Sequence, residues 1–230
     1  MGQSIAHSDP LERRAVLRRL LAALDDALVA AASATGDRSA AAALGEFASL
    51  TRSIDVTGGW PGPDVAPERL AVCRFWDRAL ETGAPGEVDL LVSALRALGP
   101  SLSWAQNPNY RRHPPAPAFL DNYGYAVIVG PADGAPAIAV DPRLALGVLL
   151  LGPETEYPLH EHPAIELYYT LTSEGEWWRE AGPWHREPRA TAIYHAPHVP
   201  HATRAGSSPL LALYLWRGDL ATHATLTPAR

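Results

Sequence analysis

The sequence predicts a mainly-β protein, with a C-terminal antiparallel sandwich or barrel preceded by an α-helical N-terminal region. Three observations carry that reading. Leucines recur at helical spacing through the first hundred residues. From Tyr123 the pattern changes to short β-branched or aromatic runs broken by turn residues, among them YGYAVIVG, LALGVLLLG, IELYYTLT and PLLALYLW. All eight tyrosines follow residue 109 and six of nine histidines lie between 160 and 201, so the chemistry is expected in the second half. The organisation read from these is a helical region over 1–100, a connector over 101–122 and a β-barrel over 123–230.

The helical elements follow in order. Asp9 fits an N-cap, Pro10 the first helical position, and Glu12 stands three residues past the cap. Leu17, Leu20, Leu21, Leu24 and Leu28 then form one apolar face, running to about Ala32. A second helix starts near Asp37 and carries Leu44, Phe47, Ala48 and Leu50. A third is predicted from Pro67 to Thr82 with Gly83 as its left-handed stop. A fourth runs from Glu87 to Leu98, ended by Gly99-Pro100, and the Gly/Pro-rich stretch over 58–67 separates the second from the third. Cys73, within the third, reads as a packed core residue. The apolar stripes imply packing on the barrel or across a homodimer interface. The Pro/Asn-rich connector PNYRRHPPAPAF contains His113, read as a solvated loop residue.

Composition removes several function classes. A formal net charge of −6, from 19 basic and 25 acidic residues, gives nothing that favours a nucleic-acid partner. The chain has no Lys, which excludes Schiff-base chemistry through a lysine amine. With a single cysteine, no intrachain disulfide can form. The opening MGQSIAHSDP lacks the pattern of a secretory signal, and no apolar run is long enough to span a bilayer. The expectation is a cytoplasmic protein without a membrane partner.

The informative segment is Tyr157-Pro-Leu-His160-Glu-His162-Pro-Ala-Ile-Glu166-Leu-Tyr168. Residues two apart on a strand share a face, so His160 and His162 can point the same way. A bend at Pro163 lets the Glu166 carboxylate return to the same point, and Pro197-His198-Val199-Pro200-His201 offers a further imidazole. Three imidazoles and one carboxylate suit one divalent transition metal: Zn, Fe, Mn, Ni or Co. Coordination positions left to water or substrate would make the site catalytic.

HxH-x3-E on a β pattern, followed by P-x-x-x-H, resembles the cupin motifs, which implies a jelly-roll barrel (a double-stranded β-helix). His198 stands in the second motif at a turn position where Gly is usual. The narrower pattern Y-x2-H-x-H-x3-E-x-Y is similar to that of the cupin-type dimethylsulfoniopropionate lyases and their lyase-like relatives, which share a helical region before the barrel. The resemblance implies a carbon–sulfur lyase releasing dimethyl sulfide and acrylate from a small sulfonium carboxylate. It also implies His160, His162, Glu166 and His201 as ligands, Tyr168 as general base, and Tyr157 beside the substrate. A free phenol, with a pKa of about 10, is a poor base at neutral pH, and a nearby divalent cation would lower it. A sulfonium cation favours an aromatic wall, for which Tyr169, Trp178 and Trp184 are the expected residues, with Trp177 and Trp216 as further candidates. Strict alternation allows only one of Trp177 and Trp178 to face inward. Another cupin metalloenzyme (an Fe(II) dioxygenase, an isomerase, or a lyase-like enzyme with a different substrate) and a non-catalytic sensor remain open alternatives at the level of sequence.

Overall fold

Helices α1 (Pro10–Ala34) and α2 (Arg38–Arg52) open the chain. The computed structural model describes residues 10–57, 67–82, 86, 88–180 and 182–227. The cap at Asp9, the stop at Gly83, the start at Glu87 and nearly all of the Gly/Pro-rich stretch lie outside them. Asp37 caps α2, its Oδ1 accepting from Ser39 N at 2.8 Å and Ala40 N at 3.2 Å. The third segment differs from the sequence expectation. Residues 67–70 carry no helix; a 3-10 turn runs over Ala71–Phe75, and α3 covers only Trp76–Thr82. The reason is a competing partner: Glu68 N donates to Ser103 Oγ and Glu68 O accepts from Trp104 N, which holds this stretch against the strand that follows. Helix α4 spans Asp89–Leu98 and α5 spans Pro108–Arg112. No helix among the described residues is long and apolar enough to cross a membrane.

Among the described residues, twelve strands form two sheets. The seven-stranded sheet runs β1 (Trp104–Ala105), β2 (Tyr123–Gly130), β4 (Ala145–Leu151), β11 (Leu210–Arg217), β6 (Ile165–Thr170) and β9 (Ala192–His195), with β3 (Ala137–Val140) pairing β2. The five-stranded sheet runs β12 (Thr225–Leu226), β5 (Glu156–Glu161), β10 (His201–Arg204), β7 (Glu176–Arg179) and β8 (His185–Arg186). Every pairing is antiparallel except β2 with β3. This is the cupin barrel that the motifs imply.

The seven-stranded sheet is buried on both faces, so its strands read as continuous apolar runs. Leu146, Val148 and Leu150 of β4 join a core with Leu17, Leu20 and Leu24 of α1 and Leu95 of α4. Leu149 and Leu151, on the alternate face, join a second core inside the barrel with Tyr157, Tyr168 and Trp177. The helices therefore cover the outside of this sheet. Cys73 is half-buried against the first core.

The connector is part of the barrel wall. Asn107 caps α5 through its side chain, while its Nδ2 donates to Ala224 O at 2.8 Å. Asn109 Nδ2 reaches the same carbonyl at 3.0 Å. These bonds bury Tyr110 and Phe119 beside Tyr123 and Tyr157. His113 is exposed, as expected.

Gly147 explains how the interior holds a large ring at its centre. It pairs with Tyr214 across β4 and β11, and a Cβ there would run into the Ala126 backbone carbonyl and stand 2.6 Å from the Tyr214 ring and hydroxyl. The Gly147→Ala variant should therefore lose about 1–3 kcal/mol through overpacking. The check is the urea midpoint at unchanged m-value; an unchanged midpoint would show that β2 and Tyr214 both yield to the added methyl without cost.

Candidate metal centre

A β-bulge decides which aromatic ring meets the histidines. His201 of β10 pairs with His160, but Thr203, two residues on, pairs with Tyr157, three residues back, so β5 carries one extra residue. The extra residue returns Tyr157 to the face of His160. The rings stack at 4.0 Å with an 11° interplanar angle. Pro158 lies within this bulge.

After His162 the chain leaves the five-stranded sheet and enters the seven-stranded one as β6. His160, His162 and His201 approach from the first sheet and its β5 end, and Glu166 from the second. All four are buried. Glu166 Oε2 lies 3.1 Å from His162 Nε2 and 2.9 Å from His201 Nε2. Ligand atoms bound at about 2.1 Å to one ion are neighbours at about 3.0–3.4 Å, so this spacing suits a shared ion.

The other ring nitrogens are already committed. His160 Nδ1 meets Pro158 O at 2.8 Å, His162 Nδ1 meets Ala164 O at 3.1 Å, and His201 Nδ1 meets Val199 O at 2.8 Å. Each carbonyl accepts an N–H, which fixes the tautomer and leaves an Nε2 lone pair facing inward. His201 Nε2 is buried without a hydrogen-bond partner, an expense a metal ion would remove. The residues fit a divalent transition metal. His198 sits outside the group: it is exposed, holds φ at 60°, and its N–H donates to His162 O at 2.8 Å. Its left-handed backbone matches a position where Gly is usual.

The dimethylsulfoniopropionate (DMSP) lyase family model matches residues 46–212, well over half of the chain. The chain belongs to this family. It is 32% identical over 190 residues to dimethylsulfoniopropionate lyase DddQ of Ruegeria pomeroyi, covering 80% of this chain and 92% of DddQ. The crystal structure of that DddQ superposes with a TM-score of 0.61 at 28% identity, covering 80% of this chain and 93% of its own. A chain from the crystal structures of the DMSP lyases RdDddP and RnDddQII gives a TM-score of 0.66 at 23% identity, covering 94% and 100%, a likeness of fold.

In this member of the DMSP lyase family, Tyr168 follows Glu166 by two residues and shares its face. Burial and then the Glu166 charge push its phenol well above the ordinary value. Tyr157 OH is 3.3 Å from Tyr110 OH, so the connector reaches the site directly. Beside Glu166 lies a cavity of about 120 Å³, its wall including Tyr125, Tyr157, Tyr168, Tyr214 and Trp216.

The expected aromatic wall is corrected by this geometry. Tyr169 alternates away from Tyr168 and packs among leucines under the helices. Trp177, rather than Trp178, faces inward, because the cross-strand row Tyr157–Thr203–Trp177 lies on the interior face. Trp177 packs on Tyr168 at 4.9 Å, and both Trp177 and Trp178 line a second cavity of about 380 Å³. Trp184 lies under the Arg204 guanidinium, 4.5 Å away. Sequence reasoning missed Tyr125, Tyr214 and His195. Each sits on an apolar strand at even spacing from a residue that faces inward, which was the available signal.

Burial holds His160 well below the usual imidazole range and His195 down to about 3, with His201 adding to both. Burial alone would raise Glu166, but the facing imidazoles of His162, His195 and His201 hold it well below the carboxylate range. A histidine lowered on folding binds protons first in the unfolded chain, so stability falls as pH drops below about 6.5. The Glu166 contribution is complete above the ordinary carboxylate value and is lost progressively as pH falls from there toward its depressed value. Chelator-stripped protein should thus lose about 1 kcal/mol for each of His160 and His195 between pH 6.5 and 5.5. Urea unfolding at several pH values measures this, and a flat profile would contradict neutral burial.

Proposed function

We propose that this chain cleaves dimethylsulfoniopropionate to dimethyl sulfide and acrylate by β-elimination, with Tyr168 as the base. The carrying observation is the placement of Tyr168 between the His/Glu cluster and an aromatic cavity. Family membership supports the reaction class, and the 32% identity with DddQ supports the substrate. The proposed ligands are His160, His162, Glu166 and His201. A divalent cation there would supply Lewis acidity toward a substrate carboxylate and positive charge that favours phenolate.

The remaining steps belong to side chains. Tyr125, Tyr214 and Trp216 surround the cavity with ring faces suited to the sulfonium end. Tyr168 Oη takes the proton from the carbon beside the substrate carboxylate. The carbon–sulfur bond at the next carbon breaks, its electron pair leaving with dimethyl sulfide, and the new double bond completes acrylate. The proton remains on Tyr168. Tyr157, held by Tyr110 and stacked on His160, fixes the floor of the site. Because the protein's own groups raise the phenol, turnover should increase with pH on the alkaline side.

Tyr168→Phe keeps the ring against Trp177 and removes the ionisable oxygen. It should lower kcat by about 10²–10⁴-fold, a loss typical of general-base removal, with metal content unchanged. Gas-chromatographic dimethyl sulfide release at matched metal content measures it, and a variant within threefold of wild type would remove Tyr168 from the mechanism. His162→Ala should instead strip the metal while the helical region stays folded, as read by elemental analysis and circular dichroism.

A further inference from the structure

Glu166 is flanked on both sides of its sheet by side chains that meet its carboxylate. It pairs with Trp216 on β11 and with His195 on β9. Trp216 Nε1 donates to Oε1 at 2.5 Å, and His195 Nδ1 lies 3.3 Å from Oε2. His195 is as buried as the four proposed ligands, and together with Glu166 and His201 it forms a second cluster with metal-ligand spacing. Two roles are therefore open to it: a ligand, or a donor to a ligand.

Ring orientation separates them. A metal ion lies close to the plane of each imidazole that binds it, because the lone pair lies in that plane. The planes of His160 and His201 cross at 62°, and those of His162 and His201 at 81°, so one point can lie near all three rings. His195 and His201 instead stack at 3.9 Å with their planes only 19° apart. Nearly parallel planes so separated do not meet at an ion between them. His195 also departs from the pattern of the others: their Nδ1 atoms face backbone carbonyls, whereas its Nδ1 faces the carboxylate.

We propose that His195 is a positioning residue of the metal centre, donating Nδ1–H to Glu166 Oε2 while Trp216 holds Oε1. The pair would orient the carboxylate, leaving the remaining lone pair of Oε2 for the ion. This rests on the metal reading above and adds a residue to it. Outer hydrogen-bond partners of this kind typically govern metal affinity by about 10–100-fold.

The test is a side-chain series on the full chain, read by zinc affinity in competition with a chromophoric chelator. His195→Ala should lose affinity by about 10–100-fold. His195→Asn places an amide N–H where Nδ1 stood and should recover to within threefold of wild type. His195→Gln matches the size but carries its amide farther out, and should behave like the alanine variant. If the alanine variant does not fold, the contrast between Asn and Gln still decides. Cobalt(II)-substituted wild type and His195→Asn should share the same visible bands in position and intensity. Equal affinities for Asn and Gln, an alanine variant within threefold of wild type, or altered cobalt bands in His195→Asn would each overturn the proposal. Affinity is read without substrate, so an absence of dimethyl sulfide release would count against the proposed reaction and leave this assignment standing.

Discussion

The site depends on one buried carboxylate brought against imidazoles from both sheets. Glu166 Oε2 has His162, His195 and His201 within 3.3 Å, and Trp216 takes Oε1. Burying a carboxylate is costly unless its oxygens are met by donors or cations. That cost falls only when both sheets hold their places, because the histidines of β5 and β10 and the glutamate of β6 belong to different sheets. Fold and site thus constrain each other through a single side chain.

The helical region sets the rigidity of that arrangement from outside. Its leucines bury the outer face of the sheet carrying Glu166, Tyr168 and Trp216, while the inner faces of both sheets share an aromatic core. A sheet packed on both faces has little freedom to slide, and a slip by one residue would exchange inward rings such as Tyr168 and Tyr214 for outward residues such as Leu167 and Leu213. Gly147 shows how tight the inner packing is, since the absence of one Cβ makes room for Tyr214.

Much of this was legible in the sequence, for reasons that differ by element. The helices of α1, α2 and α4 declared themselves because their apolar spacing is long and regular. The third did not, because Glu68 bonds to a strand about 35 residues away that no local pattern reveals. His160, His162, Glu166 and His201 could be grouped from spacing because a local bend and a Pro-rich turn suffice to bring them together. Placing the aromatic wall needed the register. Trp177 and Trp178 are adjacent, and only their pairing with Thr203 and Ala202 says which looks inward. The contact of His195 with Glu166 needed the register too, because it forms across a ladder, 29 residues away.

The connector changes what can be inherited as a unit. Asn107 and Asn109 both give their amides to Ala224 O, immediately before β12, and Leu226 of β12 lies beside His160. Tyr110, from the same short helix, touches Tyr157. The segment ahead of the barrel and the tail behind it are thereby clasped together over the histidines. A recombination event that cut at Tyr123 would carry away the metal-binding motifs yet leave behind the ring that steadies Tyr157 and both amide donors that hold the last strand. The barrel here is therefore not a portable cassette. Its smallest exchangeable unit begins upstream of Asn107, and changes in the connector and the tail should be selected as a pair.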